Sequence, residues 1–184
     1  MKILSRPECE EFAAGLSAHF RRNWITARIN SLKHVASFVY DGPLACATAW
    51  QPAGAVAVHL VSHLGRYTQA LLWIYAYPFW WDRSREEHPP ATWEQFLRWR
   101  SAHGESRSPH DMPGHLFETN EAEELVGALG TAIATQCELV LVTRPFRDLF
   151  VHNDGDLIMV QSRHNLSVLS SKLIRLGLSR CNND

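Results

Sequence analysis

Thr68-Gln69-Ala70-Leu71-Leu72-Trp73-Ile74-Tyr75-Ala76-Tyr77 is the stretch on which the fold turns. Read with a period of two, Leu71, Trp73, Tyr75 and Tyr77 point one way and Leu72, Ile74 and Ala76 the other. Both faces are apolar, so the segment reads as a central strand with a packed layer on each side. Three further apolar segments precede it, at 35–40, 44–50 and 55–63. Asp41-Gly42-Pro43, Gln51-Pro52-Ala53-Gly54 and Gly65-Arg66 separate them. Spacing of about ten residues with turn chemistry between segments predicts a four-strand antiparallel meander.

Outward from this stretch the period changes. Toward the N-terminus, Ser5-Arg6-Pro7-Glu8 has the form of a capping box, and Cys9, Phe12, Ala13, Leu16 and Phe20 follow at helical spacing, a helix fading near Asn23. Pro78 and the charged run Asp82–Glu87 end the meander. Thr92-Trp93-Glu94-Gln95 then opens a short helix with Trp93, Phe96, Leu97 and Arg100 on one face and Gly104 as its stop. Residues 104–117, rich in His, Ser and Pro, read as a long loop. Asn120 and Glu123 predict the start of a third helix with Leu125, Val126, Leu129, Ile133 and Cys137 inward. Glu138–Thr143 reads as a buried strand. Asp154-Gly155 between two apolar runs predicts a tight hairpin, with Val151 opposite Ile158 and Phe150 opposite Met159. Asn165 caps a last helix carrying Leu166, Leu169, Leu173 and Leu176, and Gly177 stops it. The expected fold is one α+β domain over 1–184: an antiparallel sheet of four-strand meander, C-terminal strand and hairpin, packed by about four helices.

Composition agrees. The 184 residues are 46% hydrophobic and 20% charged, which fits a globular chain and excludes disorder and collagen-like repeats. Cys9, Cys46, Cys137 and Cys181 form no CxxC pair, so free thiols in a reducing, cytoplasmic setting are expected rather than a disulfide framework. The longest nearly apolar run, Ala70 to Trp81, is broken by Pro78 and is shorter than the roughly 20 residues of a membrane span. No membrane association is expected. The net charge of -1 conceals a segregation: 12–40 and 157–183 each carry +4 with no acid, while 41–156 carries -7. If the two basic ends meet, they make a positive face suited to a charged partner.

Chemistry is harder to find. His59 and His63 at i and i+4 would share a metal on a helix, but on the expected strand they stand about 13 Å apart and cannot. His103, His110 and His115, with Asp111, match no zinc-site spacing, so no metal and no cofactor are expected. His152, Asn153, Asp154 and Asp156 cluster at the hairpin tip, where turn geometry alone asks for such residues. Arg144 and Arg147 leave the Leu139–Val142 strand and are candidates to grip a phosphate or carboxylate. No nucleophile elbow, P-loop or dinucleotide fingerprint occurs. The basic segments lack the aromatic interleaving of RNA-binding motifs, so nucleic acid is not an expected partner.

Five tryptophans fall between Trp73 and Trp99. Trp73, Trp93 and Trp99 read as packing, with Trp93 also near the expected surface. Adjacent Trp80 and Trp81 point to opposite faces, so one of them is the best candidate for an exposed aromatic. The expected function is a non-catalytic protein-binding domain of the regulatory, adaptor or toxin-neutralising kind. It would contact its protein partner through Trp80, Trp81, Trp93, Arg144, Arg147 and His152. The alternative is a small-molecule binder or enzyme whose aromatic-lined pocket draws polar groups from His and Arg.

Overall fold

The computed structural model of the chain describes residues 1–16, 32–40, 50–76, 91–107, 111, 113–153 and 157–181, with backbone alone at 50, 51, 76 and 91–93. In chain order the elements are β1 (Lys2–Leu4), α1 (Arg6–Ala14), β2 (His34–Tyr40), α2 (Trp50–His63), β3 (Gln69–Ala76), α3 (Ala91–Ala102) and β4 (Gly114–Glu118). A 3₁₀ turn (Thr119–Glu121) leads into α4 (Ala122–Ala134). Then come β5 (Glu138–Arg144), β6 (Asp148–Asn153), β7 (Leu157–Ser162), α5 (Ser167–Arg175) and β8 (Leu178–Cys181). The fold is α+β, as composition and period imply. All eight strands form one antiparallel sheet in the order β1-β4-β3-β5-β6-β7-β2-β8.

β3 lies between β4 and β5 and is covered on both sides. Ala70, Leu72 and Ile74 join one core, with Leu139 and Leu141 of β5 beside them. Leu71 and Trp73 join the other, with Val140 and Val142. Each such side chain contributes roughly 1.5–3 kcal/mol by leaving water. The larger core is closed by α2, α3, α4 and α5, which contact one another in the order α3, α4, α2, α5. The smaller one receives Cys9 and Phe12 from α1. Ser5 and Glu8 start α1 as expected: the Glu8 carboxylate accepts from the Ser5 N–H at 2.8 Å and from its hydroxyl at 2.8 Å. Residues 17–23 of that expected helix lie outside the described residues.

The meander is corrected. Residues 50–63 are helix, not strand, and 44–49 lie outside the described residues. β2 and β3 are therefore not neighbours: β5, β6 and β7 stand between them, and β2 pairs with β7 and β8. The alternation Ala55-Val56-Ala57-Val58 suggested a strand, yet the buried positions are Ala53, Val56, Ala57, Leu60, Val61 and Leu64, at spacings of three and four. Small residues on that stripe let α2 approach α4 closely. A Cβ on Gly130 would stand 3.2 Å from the Gly54 Cα.

Other expectations shift in detail. The expected loop 104–117 ends in β4, which pairs with β1 and β3; a five-residue strand whose second member is His gave no alternation to read. β1 and β8, short edge strands, were not expected, and there are five helices among the described residues rather than four. The hairpin exists, but His152 pairs with Ile158 and Val151 with Met159. The connection is thus residues 154–156, one longer than an Asp-Gly loop, and the slip of one residue exchanges the predicted facing pairs. Gly104 and Gly177 stop their helices at φ +79° and +91°, a region open to glycine.

Candidate functional site

Trp80 and Trp81 lie outside the described residues, and Trp93 is placed only as a backbone position in the first turn of α3. Arg144 ends β5 on the surface. Its guanidinium sits over the Phe12 ring, 4.5 Å from the centroid, and donates to Gln69 Oε1 at 3.3 Å. Half-buried Arg147 precedes β6, and its carbonyl accepts the Arg163 N–H at 3.0 Å. His152 is buried in β6, its Nδ1 at 2.7 Å from the Cys137 carbonyl, at the end of β5 away from Arg144. The three are not brought to one point: Arg144 packs on an aromatic ring and His152 fastens two elements of the core.

The helix places His59 and His63 on one face, correcting the strand geometry. They still do not converge, since His59 faces Lys172 of α5 while His63 reaches the far end of β7. His63 Nε2 lies 3.2 Å from Ser162 Oγ and 3.7 Å from Asp148 Oδ1. Ser162 donates its hydroxyl proton to Asp148 and accepts the His164 N–H at 2.9 Å. Burial pushes Asp148 up, against the Ser162 hydrogen bond and the charges of His63, His164 and Arg147. Burial also pushes His63 down, only partly offset by Asp148. Ser162 is fully enclosed and its hydroxyl is committed to Asp148, so it is no nucleophile. The group clasps the end of α2 to the β6–β7 hairpin. Among the described residues no three His, Cys, Asp or Glu side chains are placed to hold a metal ion.

On the other side of the helical layer, Arg100 of α3 is buried and its Nη1 lies 3.3 Å from His115 Nε2. Burial, then the Arg100 charge, pushes the His115 pKa down to about 3, so the ring is neutral. Glu105 is gripped by Arg107 through its N–H at 2.8 Å, Nε at 2.9 Å and Nη2 at 2.6 Å. The Arg107 hydrogen bond holds the Glu105 pKa at about 2. Glu105 and Arg107 fix the turn after α3, and the His115 ring lies against Trp99, centroids 5.6 Å apart, which in turn stacks on Phe96 at 5.7 Å.

Between α3 and α4 opens a cleft of about 190 Å³ lined by Gln95, Phe96, Trp99, Glu124, Gly127, Ala128 and Thr131. Phe96 and Trp99 form one wall. Gly127 and Ala128 form the facing one, and the Thr131 hydroxyl is turned to the Gly127 carbonyl at 2.8 Å. At the rim His103 spans from the Trp99 carbonyl, 2.8 Å from its Nδ1, to Glu124, 3.4 Å from its Nε2. The cleft is apolar inside with a carboxylate at its mouth. Sequence reasoning assigned Trp99 to packing and passed over Gly127; the available signal was a glycine interrupting the helical run Ala122–Ala134. Comparison with known protein families, curated proteins and solved structures finds no match to this chain.

Proposed function

We propose that the chain is a non-catalytic protein-binding domain, of the regulatory, adaptor or toxin-neutralising kind, and that the α3–α4 cleft takes an apolar side chain of its partner. Gly127 is the observation that carries this reading. A glycine inside a helix costs about 0.8–1 kcal/mol relative to alanine. Among the described residues a Cβ at Gly127 would meet nothing within 4 Å, so none of them demands the glycine. What the missing side chain provides is an open wall opposite Trp99. A cytosolic setting belongs to the same proposal: Cys9 and Cys137 are free and buried, and burial pushes both thiols up to about 12. Among the described residues no helix is long and apolar enough to cross a membrane.

The aromatic wall also favours a second reading, a small-molecule site. Size speaks against it, because a cleft of about 190 Å³ is smaller than the roughly 300–1,000 Å³ of ligand pockets. Gly127→Leu fills the cleft from open space and tests both. Immobilised wild-type chain should retain a protein from cell extract that the Gly127→Leu chain loses at equal thermal stability. Identical captures on the two baits would refute the cleft as a protein site. A thermal-shift screen against nucleotides, phosphorylated metabolites and divalent metals addresses the second reading. A rise of several degrees that Gly127→Leu abolishes would establish it instead.

A further inference from the structure

Charge is divided along the strand order of the sheet. The described residues of β2, α2, β7, α5 and β8 include no Asp or Glu. Every described carboxylate except buried Asp148 lies toward the other edge, on α1, α3, β4, α4, their connections and the start of β5. β2 slots between β7 and β8, which brings Lys33 and His34 beside Arg163 and sets Phe38 opposite Arg180. The described parts of the two basic segments therefore meet. Asp41, Asp154, Asp156 and Asp184, which flank these elements in sequence, lie outside the described residues.

α5 forms the outer helix of this basic half. Leu169 and Leu173 face the core, while Val168, 66% exposed, shares the outer face with Lys172 and Arg175 at i, i+4 and i+7, and Ile174, 49% exposed, lies on the other flank. Arg180 shares a sheet face with buried Leu178, and so emerges on the α5 side; Arg163 begins the turn that enters the helix. None of Arg163, Lys172, Arg175 and Arg180 pairs with a carboxylate among the described residues. Burial, then the Lys172 charge, disfavours a proton on His59 of α2.

We propose that the outer face of α5, flanked by Arg163 and Arg180, docks an acidic segment of a partner protein that carries aliphatic side chains among its carboxylates. Bare bases would fit any polyanion, but Val168 stands exposed alongside Lys172 and Arg175 and matches apolar atoms opposite it, which a phosphate backbone does not offer. A lipid surface calls for a helix with a free apolar stripe, whereas α5 spends Leu169 and Leu173 on the core. This surface is separate from the α3–α4 cleft, at the opposite end of the helical layer, and stands or falls without it.

Fluorescence anisotropy with three labelled probes tests the assignment: a peptide alternating Glu with Leu, a duplex DNA of equal charge, and phosphatidylserine vesicles. The peptide should bind, and Lys172→Glu with Arg175→Glu should weaken it at least tenfold. Val168→Ser should weaken it several-fold even at high salt, where the charge contribution is screened. Gly127→Leu should leave it unchanged, and circular dichroism confirms that each variant is folded. Binding to no probe overturns the proposal, as does indifference of the peptide to Val168→Ser. DNA or vesicles bound as tightly as the peptide would reassign the face to nucleic acid or lipid.

Discussion

Gly127 and Gly130 lie three residues apart on α4, and replacing each by alanine should move stability in opposite directions. The propensity gain is the same at both, about 0.8–1 kcal/mol. At Gly127 the new methyl meets none of the described residues, so the gain should appear nearly whole. At Gly130 it would stand 3.2 Å from the Gly54 Cα and 3.5 Å from the Ala57 Cβ, and the closer atom is backbone on the facing helix. Relief requires α2 and α4 to part by a few tenths of an ångström, which disturbs the packing of a whole interface. Overpacking of this kind costs about 1–3 kcal/mol, so the net change at Gly130 should be a loss of about 1 kcal/mol. Urea unfolding followed by tryptophan fluorescence, with an unchanged denaturant slope, gives both numbers. If both variants stabilise, the helices are not in close contact at Gly54; if both destabilise, Gly127 has a structural duty and the argument for the cleft collapses.

Gly114→Ala should be far costlier, because its Cβ would overlap Cys9 Sγ and stand 3.0 Å from the Leu4 Cβ. Adding Cys9→Ala should recover part of the loss in chemical denaturation, and additive losses would show that the thiol is not the obstacle. Neutral, buried His115 makes stability pH-dependent: the unfolded chain takes up its proton below the ordinary 6.5, the folded one only near 3. Stability should therefore fall as pH drops from 6.5, by up to about 1.4 kcal/mol per unit, with His59 and His63 acting in the same direction. Unfolding free energies between pH 7 and 5 should slope less in His115→Gln, and an equal slope would count against a buried neutral ring. At Ser162 and Asp148 the two sides of one hydrogen bond should differ. Ser162→Ala strands a buried carboxylate at a cost of about 3 kcal/mol, whereas Asp148→Asn at pH 7 should cost little, because burial already disfavours the charge. Equal losses in thermal melts would contradict this.

Where one periodicity dominated, the sequence was readable. Leu71 to Ile74 form an unbroken apolar run because both faces of β3 are covered, and Leu166, Leu169 and Leu173 leave no period but the helical one for α5. The reading failed where small residues blur the two periods. In Ala53–Val61 alanine favours a helix and valine a strand, and the packing of the segment on α4 and α5 decides between them. β1, β4 and β8 are three to five residues long, too short for a pattern, and exist because a neighbouring strand supplies their hydrogen bonds. The charge segregation was visible as two basic segments. That they meet depends on β2 pairing with β7 and β8, a long-range fact with no local trace. The cleft was hidden for a different reason, since a void is defined by what two helices fail to fill.

The position of β2 also has a bearing on how the chain is made. β2 ends at Tyr40, yet among the described residues its partners are β7, which begins at Leu157, and β8, which ends at Cys181. During synthesis from the N-terminus the strand His34–Tyr40 emerges well before these partners and waits for them to leave the ribosome. Such non-local pairing is slow, and it leaves an apolar strand edge open to other chains in the meantime. A nascent chain halted before Leu157 should therefore aggregate, or occupy a chaperone, in a way that the completed chain does not. Strands made much later, β7 and β8, are the ones that enclose it.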